Sequence, residues 1–163
     1  MSLFGSTRDV ATFKIFTKEL VEAIVSQQIG YYKIKLGDTQ PNVYGESPKK
    51  YFIGPVLIPC LIVRGDFTVS TTEFGVDTDR KNDFRFFKDH LVEANIVPEV
   101  GDYIMYNELY YEVDNVNENQ FILGKDVDYS YSSATDNFGQ SYSIILNTHL
   151  SSPDKLGITL ERL

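Results

Sequence analysis

The sequence contains no tryptophan, a single cysteine (Cys60), two histidines (His90 and His149) and two methionines in 163 residues. One thiol excludes an internal disulfide, so the fold must be held by burial and hydrogen bonding. No Cys or His pair has the spacing of a zinc site. Neither a phosphate-binding loop nor a dinucleotide fingerprint occurs. No run of eighteen apolar residues offers a spanning helix. Residues 1–9 lack the basic and apolar regions of a secretory signal, and no Asn-x-Ser/Thr sequon occurs. Positive charge is also scarce: 15 Lys and Arg face 23 Asp and Glu, for a net charge of −8. Binding along a nucleic-acid backbone needs cations that displace counterions, so this balance opposes it. It opposes anionic membranes for the same reason.

What the chain does have is aromatic. It holds 11 Tyr and 11 Phe, types that favour pleated, half-buried surfaces and so point to β structure. Tyr also suits protein interfaces, where the ring is buried and the hydroxyl stays wet. Charged residues at 23% and hydrophobic residues at 42% are ordinary for a folded chain, which excludes disorder as the default. The length fits a single domain with a real core.

Periodicity supplies the elements. Val10, Phe13, Phe16, Leu20, Ile24 and Gln27 recur every three or four residues, and Val21 and Val25 widen the stripe. Thr17 as N-cap, with Glu19 in the first turn, predicts a helix over 17–28. Residues 1–16 are read as an N-terminal arm, and Gly30 as a stop. Tyr32, Ile34 and Leu36 alternate on one face of a strand. Residues 37–50 read as a long loop. Pro55 and Pro59 bracket Val56-Leu57-Ile58, which places that run at a sheet edge or a bulge. Arg64-Gly65-Asp66 reads as a tight turn between two strands, although it matches an adhesion tripeptide. Residues 77–83 read as a polar excursion, 84–87 as a short strand and 89–94 as one or two helical turns. The clearest hairpin is Tyr103 to Tyr106, a two-residue Asn107-Glu108 turn, then 109–116. A second turn is expected at Asn117-Glu118-Asn119, a loop at 125–140, and last strands over 141–150 and 157–163. The fold class expected is mainly β: a small antiparallel β-barrel or sandwich with one packed N-terminal helix and long loops, the β-rich core spanning 31–163.

Chemistry is harder to find. Asp77-Thr78-Asp79 and Asp126-Val127-Asp128 begin like calcium loops, but Lys81-Asn82 and Ser130-Tyr131 stand where an oxygen ligand and glycine are needed. Ser47 and Ser141 lack the Gly-x-Ser-x-Gly elbow. Cys60 follows Pro59 in an apolar run and reads as a buried small hydrophobe. His90 and His149 read as packing or surface residues. No metal, cofactor or catalytic residue is therefore expected. Two functional alternatives remain beside a contact-making subunit. One is a β-barrel module for a small ligand or carbohydrate, using Tyr in the 126–142 loop. The other is a hydrolase with an acid pair, which no motif supports. Interface candidates are Asn42, Tyr44 and Glu46 in the first long loop, Tyr129 and Tyr131 in the second, and Leu3 and Phe4, apolar residues without an obvious core partner.

Four stretches, in order along most of the chain, resemble the neck or head-closure (head-to-tail connector) proteins of tailed bacteriophages, those of myophages especially. They are Thr17-Lys18-Glu19-Leu20-Val21 leading into Tyr31-Tyr32-Lys33-Ile34; Thr39-Gln40-Pro41-Asn42-Val43-Tyr44-Gly45-Glu46-Ser47; Glu73-Phe74-Gly75 through Phe84, Phe86 and Leu91 to Val97-Pro98-Glu99-Val100-Gly101-Asp102; and Tyr110-Tyr111-Glu112-Val113-Asp114-Asn115-Val116 through Asn147-Thr148-His149-Leu150. The resemblance implies a non-enzymatic virion subunit without cofactor. It implies a homo-oligomeric ring, taken here as six copies, below the portal, assembled in the host cytoplasm. Expected partners are the ring's own copies, the portal or adaptor protein, and tail-terminator or tail-tube proteins. Genomic DNA would pass without sequence-specific binding, and no membrane is involved. An acidic subunit suits a channel that must not grip a duplex.

Overall fold

A computed structural model describes residues 7–35, 37, 39, 50–73, 75–121 and 141–151. In chain order these form α1 (Thr7–Glu19), continued by a π-helical stretch (Leu20–Val25), β1 (Gln28–Ile34), β2 (Phe52–Pro59), β3 (Leu61–Thr72), β4 (Gly75–Phe87), α2 (Lys88–Glu93), β5 (Tyr103–Tyr106), β6 (Leu109–Phe121) and β7 (Ser141–Ser151). The mainly β expectation holds. The seven strands among the described residues belong to one antiparallel sheet, in the order β2-β1-β5-β6-β7-β4-β3.

The two edge strands of that order, β2 and β3, are separated in the chain by Cys60 alone. The sheet must therefore roll far enough to bring the end of β2 beside the start of β3. The Cys60 amide donates to the Gln27 carbonyl at 3.0 Å. The rolled interior holds Ile29 and Tyr31 from β1, Ile58 from β2, Phe84 and Phe86 from β4, Ile104 from β5, Tyr111 and Val113 from β6, and Ile144 and Leu146 from β7, with Cys60 and Leu91. The expected edge or bulge at Pro55 and Pro59 is both: among the described residues β2 pairs with β1 only, and the register shifts between Tyr31 and Lys33. Proline has no N–H to offer a second neighbour.

The Asn107-Glu108 turn is as the sequence suggested. Both residues have positive φ (53° and 62°), and Tyr106 pairs with Leu109, the pattern of a tight two-residue hairpin. The short helix also appears, as α2. It closes with the Ile96 amide on the Leu91 carbonyl and the Asn95 amide on that of Val92, Asn95 taking φ 54°. Asparagine tolerates that left-handed position, so the helix stops there.

Several expectations change. The helix begins ten residues before Thr17, which lies inside α1, and ends before Gln28, which opens β1. Gly30 is a buried strand residue, because Pro55 and Met105 crowd its position from the neighbouring strands. Arg64-Gly65-Asp66 is no turn. β3 continues through it, and the register with β4 shifts between Arg64 and Phe67. A Cβ on Gly65 would stand 2.2 Å from the Lys81 carbonyl oxygen, so only glycine allows this close approach. Residues 77–83 are not a polar excursion but part of β4, which pairs with β3 and β7; the extended backbone at 77–79 cannot wrap a calcium ion. Asn117-Glu118-Asn119 is likewise a pairing irregularity within β6, which runs on to Phe121. Most described side chains of these two stretches are exposed or half-buried, so no apolar alternation marks them as strand.

Tyrosine also moved inward. Tyr31, Tyr32, Tyr103, Tyr110 and Tyr111 are all buried. Tyr32, Tyr103 and Tyr110, with Phe52 and Met105, form a second cluster apart from the rolled interior. Strands β1, β5 and β6 thus bury side chains on both faces. Two of these hydroxyls are held by acids, Tyr31 donating to Asp102 and Tyr103 to Glu112, while that of Tyr32 points to the Met105 sulfur. Burial, then those carboxylates, raise both phenols above their usual value of 10.0. Cys60, fully buried as expected, has its thiol pushed up to about 12 from 9.0 by burial. Each group is neutral when protonated, and the folded state holds the proton longer than the unfolded chain does. Stability is therefore intact below about pH 9 and falls as pH rises, first through Cys60 and then, above about pH 10, through the tyrosines. Urea midpoints measured from pH 7 to 11 should show this decline, and Cys60→Ala should remove its earliest part. A flat profile to pH 11 would contradict the assignment.

Candidate interaction surface

The helix is docked by its polar side. Lys14 pairs with Asp89 at 3.2 Å, Lys18 with Glu93 at 2.8 Å, and Thr17 hydrogen-bonds the Tyr142 hydroxyl. In the π-helical stretch Glu22 meets His90 Nε2 at 2.9 Å, and Val21 is the buried apolar residue. The apolar stripe that predicted the helix faces outward instead: Phe13 is 54% exposed, Phe16 63% and Ile24 74%. Exposed ion pairs contribute little. The arrangement leaves a contiguous helical row of large apolar side chains in water, which is unusual unless something covers it.

Strands β3 and β4 carry a second exposed group, with Val63, Phe67 and Val69 on β3 and Val76 on β4. Arg80 lies over the Phe67 ring, 5.4 Å from its centroid. Beside them is a cleft of about 170 Å³ whose lining includes Arg64, Phe67, Arg80, Asn82 and Tyr106. Arg64 donates to the Tyr106 hydroxyl at 2.8 Å and stands over its ring. Sequence reasoning missed this cleft. Arg64 and Arg80 lie far apart in the chain, and only the β3–β4 register, with Phe67 opposite Arg80, brings them together.

The most enclosed polar group is Asp102, whose side chain is fully buried. It accepts from Tyr31 Oη, from Lys33 Nζ at 3.0 Å, and from the main-chain amides of Ile34 at 2.9 Å and Glu99 at 2.8 Å. Every donor is a group of the fold itself, so the carboxylate ties the 97–102 segment to β1 and is spoken for. His90 is buried against Phe87, with Nδ1 unpartnered. His149 is half-exposed, its Nδ1 2.7 Å from Asp114. The two histidines sit on different elements with different carboxylates. Among the described residues no three His, Cys, Asp or Glu side chains group as metal ligands, and no helix is long and apolar enough to cross a membrane.

The sequence-derived contact residues Asn42, Tyr44, Glu46, Tyr129, Tyr131, Leu3 and Phe4 lie outside the described residues, as do Ser47, Asp126 to Tyr131 and the expected strand at 157–163. No family model matches the chain, and no curated protein does. Among solved structures, a chain of the virion of a native gene transfer agent particle is similar at 9% identity and a TM-score of 0.45, over 76% of this chain and 91% of that one.

Proposed function

We propose that this chain is a non-enzymatic structural subunit of a tailed-phage virion neck. It forms a ring between portal and tail, closes or extends the DNA channel, and gives the tail a docking surface. The observation that carries the contact-making part of this reading is the orientation of α1. Its charged side is spent on α2, and Phe13, Phe16, Leu20 and Ile24 are left facing solvent. A chain that stayed a monomer would gain by turning that stripe inward, since burying one such side chain is worth about 1.5–3 kcal/mol. Covered by neighbours in an assembly, the stripe becomes an interface core. The neck position is supported by the four ordered stretches that resemble head-closure proteins, and the acidic balance suits a lumen through which DNA must slide.

The test is location. Antibodies raised against the purified chain, gold-labelled and applied to intact virions of the phage that encodes it, should mark the head–tail junction. Negative-stain images of the purified chain, alone or with portal complexes, should show rings. Virions without label, or label spread over the capsid or tail, would overturn the proposal.

A further inference from the structure

The cleft between the β3–β4 ribbon and the β5–β6 turn has the chemistry of a binding site. Two guanidinium groups, Arg64 and Arg80, line it in a chain whose net charge is −8. Neither has a carboxylate partner among the described residues, although acids outnumber bases in the chain. Their observed contacts are aromatic: Arg64 on Tyr106, Arg80 over Phe67. Stacking of this kind holds a guanidinium flat and leaves N–H groups free for a planar oxyanion. The third feature is Asn82. It is only 3% exposed and lines the same cleft, and its side-chain oxygen has no hydrogen-bond partner. A buried acceptor left empty costs free energy, and such groups are rare in folded proteins. The Gly65 irregularity explains how the group assembles. The backbone closes onto the Lys81 carbonyl there and shifts register, so that Phe67 stands opposite Arg80.

We infer that this cleft receives an acidic side chain of another protein chain, the carboxylate binding Arg64 and Arg80 and a main-chain N–H beside it donating to Asn82. The unpaired acceptor decides between anions. A phosphodiester offers oxygens to the arginines but no donor to Asn82, whereas a peptide carries a donor next to every acidic side chain. The Phe67 and Tyr106 rings suit the aliphatic stem of a glutamate. The volume, about 170 Å³, fits one such side chain and no large ligand. This site stands or falls separately from the virion reading, since an acidic segment from any protein would satisfy it.

The experiment uses the full chain, isotope-labelled, and follows its amide resonances during titration with an acetylated and amidated triglutamate peptide. The same peptide with N-methylated glutamates, inorganic phosphate and an oligothymidylate serve as the other arms. Triglutamate should produce saturable shifts at Gly65, Arg80, Asn82 and Asn107. The double substitution Arg64→Gln with Arg80→Gln should weaken binding at least tenfold, while leaving the spectrum elsewhere unchanged. N-methylation should weaken it several-fold, because it removes the donor Asn82 needs. Absence of saturable shifts would overturn the inference, as would shifts that survive the double substitution, or equal binding of the methylated peptide. Tighter binding of phosphate or oligothymidylate than of triglutamate would overturn it in favour of a phosphate site.

Discussion

Asp102→Ala is expected to lower the free energy of unfolding by about 3–5 kcal/mol, the range for breaking a buried, hydrogen-bonded charge arrangement. The reason is the number of groups that depend on it. Removing the carboxylate strands the Tyr31 hydroxyl inside the core and leaves the Ile34 and Glu99 amides without acceptors. Lys33 loses one partner but keeps Glu99 at 2.8 Å and the Val97 carbonyl, so it contributes least to the loss. Asp102→Asn retains one oxygen and the side-chain volume. Its loss should be smaller, about 1.5–3 kcal/mol, the worth of hydrogen bonds to a charged group. Urea unfolding at pH 7 separates the two variants. If the alanine variant lost less than about 1 kcal/mol, Asp102 could not be the tie between β1 and the 97–102 segment.

Phe84→Ala should cost about the same, 3–5 kcal/mol, by a different route. Phe84 has no exposed surface, and it sits on β4 between the Tyr106 and Tyr111 rings, at 6.2 and 5.7 Å between centroids. It packs in the cluster shared by β4, β5 and β6, although β7 separates β4 from β6 in the sheet. Truncation leaves a cavity inside the roll, not at its rim. A neighbouring aromatic such as Tyr111 cannot swing in without leaving the cluster on its own side. Thermal unfolding should register the loss as a clear drop in Tm. A change under about 1 kcal/mol would mean that the interior collapses around the site, against the close packing described above.

The amino-acid sequence by itself determined the local events whose physical cause is local. The Asn107-Glu108 hairpin was legible because asparagine accepts the left-handed backbone and apolar strands flank it. Cys60 was legible as a buried hydrophobe, and Pro55 and Pro59 as marks of an edge and an irregularity, because proline lacks the donor a central strand needs. The class, mainly β, followed from aromatic and β-branched alternation. Tertiary structure decided the rest. Periodicity predicted a helix near the N-terminus, but it cannot say which side of that helix docks. Lys14 and Lys18 of α1 met Asp89 and Glu93, Glu22 of the π-helical stretch met His90, and Phe13 and Phe16 were left outside. Gly65 read as a turn, since glycine permits a turn as readily as a close strand approach; only the Lys81 carbonyl opposite it distinguishes the two. The Arg64, Arg80 and Asn82 cleft had no signal in one dimension, because its members come together through strand register alone. Alternation, caps and turn residues act over a few positions. The roll of the sheet, the docked side of the helix and the cleft arise from pairings between distant residues, which chain order does not encode one residue at a time.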